Sequence, residues 1–370
     1  MKRKPVSPPL DPSFQNTPKF DLNYRALNQK LGSGTFGYVM TAYDVRDKCN
    51  VAVKVFKRIE RQCDMLAMRE ISALRRLRHK NIVRLIDVVK DDSDNICMVM
   101  ELCAHDLDNL IRAGNCQFWP AGQLKGYMHQ LLLALKFCHD ARMIHRDLKP
   151  NNILITSDNC VKLADFGMSH DCMPGFSSYT NCVTTLPYRD PQLLMGTRAY
   201  GCEIDVWSFA CIFGELLFCS KLFAACVNSD GKEDQITQWS CIVALCGSPL
   251  EVDDKYWPSD VHSALKKWRS AKPVLPRVLQ RKLGIDNCLV ERKRFFTPAS
   301  VSLLDALLQM APLKRLTVDQ ILEHDYFTKE GPRPFTSQMM MPQEVIVQPP
   351  QPPQPARAVV ASGAQKKIKV

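Results

Sequence analysis

Three side chains in this sequence, an acid, an amide and an acid, sit at spacings that suit one reaction. Asp147 and Asn152 lie five positions apart in His145-Arg146-Asp147-Leu148-Lys149-Pro150-Asn151-Asn152, and Asp165 opens Asp165-Phe166-Gly167 soon after. One loop thus offers a carboxylate for a hydroxyl proton and an amide for a metal. The next loop offers a carboxylate for the same metal pair. The set suits phosphoryl transfer, where positioning and charge neutralisation matter more than covalent help. Upstream runs Gly32-Ser33-Gly34-Thr35-Phe36-Gly37-Tyr38-Val39. Glycines at that spacing let the backbone bend tightly over phosphates, although such a run alone could equally be a plain hairpin. Val51-Ala52-Val53-Lys54 follows it. An unpaired ammonium between apolar residues is costly, so Lys54 needs partners, and phosphates plus a helical carboxylate would supply them. Glu70 is that carboxylate, against the plainer reading of a charge facing solvent.

These groups need elements to hold them. Short apolar-rich runs at 27–31, 38–44, 50–57, 82–88 and 96–101 read as the strands of a small sheet. A helix over 64–78 carries Ala67, Ile71, Leu74 and Leu77 at helical spacing, with Glu70 inside it. At 101–107 strand periodicity gives way to helix periodicity, which places a hinge there. A helix over 122–141 follows, then the Asp147–Asp165 region, then a loop over 168–188 rich in Ser, Thr, Cys and Pro. The stretch 203–218 is apolar nearly all round, which implies burial. Asp205 at its start is expected to accept from backbone N–H groups of the Asp147 loop. Residues 247–300 read as irregular, and helices fit 300–310 and 317–324. The fold class is α+β: a small sheet lobe with one helix (23–103) and a larger, mainly helical lobe (104–330).

Bulk composition narrows the function classes. The chain has 370 residues, is 46% hydrophobic, and carries 16 cysteines and a net charge of +11. It can bury a sizeable core in one large or two moderate domains. No signal peptide is expected, and no apolar run approaches the ~20 residues of a membrane helix. The cysteines form no paired Cys-x-x-Cys sets and read as reduced thiols rather than a disulfide framework or zinc site. The basic stretches at 266–269, 292–294 and 366–369 match no nucleic-acid module, so they read as solvated faces, and neither nucleic acid nor membrane is an expected partner. Residues 1–22 and 331–370 are expected to be disordered tails. The second holds a run over 349–355 suited to polyproline II. Lys2–Pro5 and Lys366–Lys369 would serve as nuclear import signals or as solubilising ends.

The joint pattern from 24 to 327 resembles a eukaryotic protein kinase. Within that family it is similar to the cyclin-dependent kinases. Ala67-Met68-Arg69-Glu70-Ile71 resembles the end of their cyclin-binding helix, and Thr185-Leu186-Pro187-Tyr188-Arg189 their Thr-Leu-Trp-Tyr-Arg. Cys103 in Leu102-Cys103-Ala104-His105-Asp106-Leu107, Leu245-Cys246-Gly247-Ser248 and His324-Asp325-Tyr326-Phe327 resemble the transcriptional branch, that of positive transcription elongation factor b. The resemblance implies the bilobal protein kinase fold, ATP and Mg²⁺ as cofactors, a cyclin-like regulatory subunit, and protein substrates with Ser/Thr before Pro, the RNA polymerase II C-terminal domain among them. It implies a nuclear enzyme, with some cytoplasmic presence. Asp147 would receive the substrate's hydroxyl proton, Lys149 steady the γ-phosphate, and Asn152 and Asp165 hold Mg²⁺. The nucleotide would meet Leu31, Gly32, Ser33, Gly34, Thr35, Phe36, Gly37, Val39, Ala52, Leu154 and Lys54, locked by Glu70. Met100 would lie behind adenine, and backbone groups of Glu101 and Cys103 would bond it. Thr180 would be the activating phosphosite, held by Arg69, Arg146 and His170. A histidine is the weaker phosphate partner, so phospho-Thr180 is expected to be held less tightly than by three arginines.

Other features depart from the family. Its Ala-Pro-Glu is Asp190-Pro191-Gln192 here. Gln192 is expected to keep a hydrogen bond to the buried arginine, Arg315, without supplying charge. Pro187 stands where the family has Trp and should alter the wall of the substrate groove. Two alternatives bear on function: a scaffold that binds without turnover, and a mitogen-activated type of kinase. Loss of Lys54, Asn152 or Asp165 would favour the first, and all three are present. The second would carry Thr-x-Tyr where this chain has Tyr179-Thr180-Asn181.

Overall fold

Runs rich in Val, Tyr and Met open the chain as five strands: β1 (Tyr24–Gly34), β2 (Gly37–Asp44), β3 (Cys49–Phe56), β4 (Leu85–Lys90) and β5 (Ile96–Glu101). In the computed structural model, which describes residues 17–34, 37–57, 61–172, 184–223, 234–249, 254–271, 275–278 and 295–331, they form one sheet ordered β1-β2-β3-β5-β4. All its pairs are antiparallel. The register sets Val39 opposite Lys54 and Ala52 opposite Met100. Opposed residues share a face, and alternate residues along a strand do too. One face therefore presents Val39, Ala52, Lys54 and Met100 together. The other buries Val51, Val53, Val55, Cys97 and Val99 beneath Phe20 and Tyr24.

Helix α1 (Arg61–Arg76) follows β3. It starts before the expected 64 and ends before 78, and it buries Ala67, Ile71 and Leu74 in the main core. The strand expected over 82–88 is shifted: β4 begins at Leu85, while Ile82 makes a single bridge to Leu163. Residues 17–22, placed in a tail by composition, are ordered against the sheet. The Lys90 amide donates to the Pro18 carbonyl at 2.8 Å, and Phe20 stacks on Tyr24 at 5.5 Å.

The second lobe is mainly helical. It holds β6 (His105–Asp106), α2 (Leu107–Arg112), α3 (Ala121–Asp140), β7 (Met143–Ile144), β8 (Ile153–Ile155), β9 (Val161–Leu163) and β10 (His170–Asp171). It continues with α4 (Pro191–Leu194), α5 (Glu203–Phe218), α6 (Gln235–Cys246), α7 (His262–Ala271), α8 (Pro298–Leu307), α9 (Val318–Glu323) and α10 (Asp325–Thr328). Strands β6-β8-β9 and β7-β10 form two small sheets around the Asp147 loop. Asp106 caps α2 by accepting from the Asn109 amide at 2.8 Å, and Thr317 and Gln320 close a reciprocal cap on α9. Helix α5 is buried nearly all round, as its sequence requires. Helix α7 lies within the stretch expected to be irregular. Helix α6 follows its own signal, Trp239, Ile242, Val243 and Cys246 at helical spacing behind the cap Asp234. The two-lobed α+β architecture is present.

Candidate active site

The sheet face and α1 converge on one cation. Lys54 Nζ lies 2.9 and 2.7 Å from the two oxygens of Glu70 and 2.8 Å from Asp165 Oδ1. Glu70 is only 1% exposed. Burial raises its carboxyl, and Lys54 opposes that rise. Burial likewise works against charge on Lys54, but Glu70 and Asp165 outweigh it and raise the ammonium. For Asp165, burial would raise the carboxyl, yet Lys54 leaves it lowered. Lys54 and Asp165 thus hold each other ionised, while burial leaves Glu70 the most easily protonated of the three. Asp165 adopts φ 63°, a left-handed conformation uncommon outside glycine. Gly167 lies against the same carboxylates: a Cβ there would stand in ordinary contact, 3.4 Å from Glu70 Oε2 and 3.5 Å from Asp165 Oδ1. Phe166 between them is fully buried, edge-on to His145 at 4.8 Å.

The Asp147 loop is pinned from below by the start of α5. Asp205 accepts from the backbone amides of His145 at 2.9 Å and Arg146 at 3.0 Å. A third partner, His139 Nε2 at 3.0 Å, carries no sequence signal, because it comes from the end of α3. Arg146 itself takes φ 69°. On the loop, Asp147 Oδ2 accepts from Lys149 Nζ at 2.6 Å, and Asn152 Nδ2 donates to the Asp147 carbonyl at 2.8 Å. Asp147 Oδ1 accepts from the Thr185 hydroxyl at 2.9 Å, and Lys149 also reaches that hydroxyl at 3.2 Å. In the sequence Thr185 stands out only as part of the Thr185–Arg189 motif. Its place shows it to be the side chain that fixes the Asp147 carboxylate.

The residues fit a nucleotide. A Cβ on Gly32 or Gly34 would meet nothing within 4 Å, so the backbone there borders open space. Gly37 is different: its Cβ would stand 2.0 Å from the Val55 carbonyl oxygen, so that glycine serves strand packing. Ala52 and Met100 are nearly buried, while Leu31, Ser33, Val39 and Leu154 keep exposed surface. Thr35 and Phe36 lie outside the described residues. The Glu101 amide donates to the Arg84 carbonyl at 3.1 Å. It is therefore not free for a base, and contact must run through the Glu101 carbonyl or through half-buried Cys103. The Asp165 side chain is 43% exposed and open to a metal. Among the described residues no cluster of three or more His, Cys, Asp or Glu could hold one unaided. That suits Mg²⁺, which takes one or two protein ligands alongside substrate phosphates.

The surrounding shell departs from the expected Gln192–Arg315 pairing. Arg315 does not bond Gln192. Its guanidinium grips Asp190 with both NH groups, one of them at 3.3 Å, and both side chains are fully buried. Asp190 also caps α4, accepting from the Gln192 amide at 2.8 Å. Gln192 turns to Glu203 instead, at 3.1 Å. The carboxylate expected to be missing has moved two positions along the chain, which an Asp before Pro at a helix start could have signalled. Pro187 is buried in a short turn between Leu186 and Tyr188. Arg69 and Arg146 come together over the same loop, donating to the carbonyls of Gly167 at 3.5 Å and Met168 at 2.6 Å. His170 pairs with Ile144 in β10. Thr180 lies outside the described residues.

A phosphate-facing lysine locked to a helical glutamate, beside an acid loop and a metal-binding carboxylate, defines a protein kinase. Residues 25–327 match the protein kinase domain family. Cyclin-dependent kinase 2 of Caenorhabditis elegans is 34% identical over 319 residues, 85% of this chain and 81% of that protein. The CTD kinase subunit alpha of Schizosaccharomyces pombe is 34% identical over 334 residues, 89% of this chain and 52% of that protein. Among solved structures, the CAK complex of Chaetomium thermophilum bound to ATP-γ-S has a chain 31% identical, with a TM-score of 0.71 over 86% of this chain and 94% of that one. This chain belongs to the cyclin-dependent kinase family: it is an ATP-using protein serine/threonine kinase of that type.

Proposed function

We propose that this kinase is activated by a cyclin-like subunit and transfers the γ-phosphoryl of ATP to Ser or Thr followed by Pro, in transcription proteins of the nucleus such as the RNA polymerase II C-terminal domain. The observation that carries the proline preference is Thr184. It takes φ 71°, and its carbonyl is held by Arg189 at 2.7 Å. A substrate residue placed there finds that carbonyl already engaged. A backbone N–H would be left without a partner, and proline has none to leave. For the cyclin, α1 leaves Met65 63% and Met68 36% exposed, an apolar face for a partner on the helix that sets Glu70. The transcriptional reading is supported by the similarity to the CTD kinase subunit alpha.

In the reaction, Thr185 and Lys149 fix the Asp147 carboxylate toward an incoming hydroxyl, so proton transfer starts from a set geometry. Lys149 lies near enough to steady the transferred group. Asn152 and Asp165 would hold Mg²⁺, which would neutralise phosphate charge. Lys54 would meet the nucleotide's phosphates, with Glu70 fixing its position.

The test is a kinase assay on Ser-Pro peptides, after affinity purification from nuclear extract. Co-purification of a cyclin, turnover lost in Asp165→Asn, and strong preference for Ser-Pro over Ser-Ala are expected. Equal rates on the two peptides would sink the proline reading, and full activity of the isolated chain would sink the cyclin reading.

A further inference from the structure

Away from the nucleotide cleft, the end of α1, the loop after it and β4 enclose a cavity of about 640 Å³, a size typical of ligand clefts. Its floor is aliphatic, with Leu77, Ile82 and Leu85. Its rim is cationic: Arg75, Arg78, Lys80, Arg84 and Lys162, against one carboxylate, Asp87. Asp87 is engaged elsewhere, accepting from the Tyr24 hydroxyl at 2.9 Å and facing Arg46 at 3.4 Å. Lys162 pairs with Glu101 at 2.9 Å. Among the described residues Arg75, Arg78, Lys80 and Arg84 form no ion pair, and all four are exposed. The uncompensated field reaches inward. Burial lowers the pKa of His79 and His129, and Lys80 lowers both further.

We propose that this cleft is a docking site for an acidic segment of a partner protein, an extended stretch of Asp and Glu around an aliphatic anchor. Four cations around an aliphatic floor repel one another unless an anion joins them, and the floor would take an apolar side chain. A second copy of the chain fits poorly, because each carries a net +11. Nucleic acid fits less well than peptide: no Phe, Tyr or Trp lines the cleft to stack a base. The site is separate from the exposed methionines of α1, since Arg75 lies about 15 Å along the helix from Met65 and about 10 Å from Met68.

The probe is a short fluorescein-labelled peptide of Glu, Asp and Leu, with a Lys-for-Glu version as control, titrated onto the full chain by fluorescence polarisation. The acidic peptide should bind and the basic one should not, and binding should weaken with salt. Arg78→Glu/Arg84→Glu should weaken it about tenfold or more, while phosphorylation of a short peptide without acidic residues stays unchanged. That unchanged activity separates this site from the catalytic one. Should the reversal impair folding, Arg75→Gln/Lys80→Gln should weaken binding in the same direction. Three results would each overturn the proposal. The first is no binding, or undiminished binding by both variants. The second is an equal loss in Lys48→Glu/Arg198→Glu, which would mean attraction by net charge alone. The third is single-stranded RNA displacing the peptide more strongly than unlabelled peptide does, which would make the cleft a nucleic-acid site.

Discussion

Two carboxylate–cation arrangements hold this kinase together, and they tolerate change differently. Around Lys54 every residue keeps its place: Glu70 and Asp165 stand within 3 Å of one ammonium. Around Arg315 the carboxylate has shifted from the position of Gln192 to Asp190. The first set must present atoms to a substrate, so its geometry is fixed at both ends. The second need only neutralise a buried guanidinium that also lies 4.9 Å over the Trp207 ring. Any carboxylate that reaches it will serve. Chemistry constrains position, while anchoring constrains charge.

The largest effect expected of this comparison is on stability. Asp190→Ala leaves Arg315 buried without a counter-charge, and losing one member of a buried pair costs about 3–5 kcal/mol. Urea unfolding of the full chain should show that loss. Adding Gln192→Glu should recover part of it, because a carboxylate returns to the position the family uses. A double variant no more stable than Asp190→Ala would mean that the anchor has not simply moved.

On the other side of the comparison, Asp165→Asn should reduce kcat by about 10²–10³-fold, the scale for removing one preorganised electrostatic group. Its urea midpoint should barely change, since the side chain is 43% exposed. A large stability loss there would erase the distinction between the two regions.

A smaller effect is expected from Gln192→Glu alone. It restores the family's residue, yet it sets a second carboxylate beside Glu203, where the amide now donates at 3.1 Å. Losing that bond and adding repulsion should cost about 1–3 kcal/mol, read by the same unfolding experiment. A stabilised variant would mean that Arg315 can bind both carboxylates at once.

The same contrast explains what the sequence could reveal. Asp147, Asn152 and Asp165 fall within one stretch, and Lys54 and Glu70 announce themselves by an apolar strand and a helix. The chemistry fixes their spacing, so the spacing is readable. Asp190 and Arg315 are 125 positions apart, and their pairing is decided by how the start of α4 meets the turn that ends at Lys314. His139 and Thr185 act through Asp205 and Asp147, and such supporting roles leave no local pattern. Phe20 was hidden because its polar neighbours set the composition of the segment, while one aromatic contact sets its fold. Helix α7 was hidden among lysines and prolines, with Leu265 buried in the core on an otherwise basic stretch.

The finest probe of the Lys54 side is pH. Burial, partly offset by Lys54, pushes the Glu70 carboxyl up to about 7. In the unfolded chain it titrates near the usual value of 4.5. Between those two values the folded protein holds a proton that the unfolded chain lacks. This group's contribution to stability therefore grows as pH falls from about 7 toward 4.5 and is lost as pH rises back through 7. Activity should move the other way. Below about 7 a neutral Glu70 no longer balances Lys54, so kcat/KM for ATP should fall as the fold is held more firmly. Glu70→Gln removes the titration. The difference between wild type and this variant, in urea midpoint and in kcat/KM across pH 5–8, isolates the one carboxyl from all others. Opposite slopes in the two measurements are expected. No slope in either difference would mean that Glu70 stays ionised throughout and that Lys54 outweighs its burial.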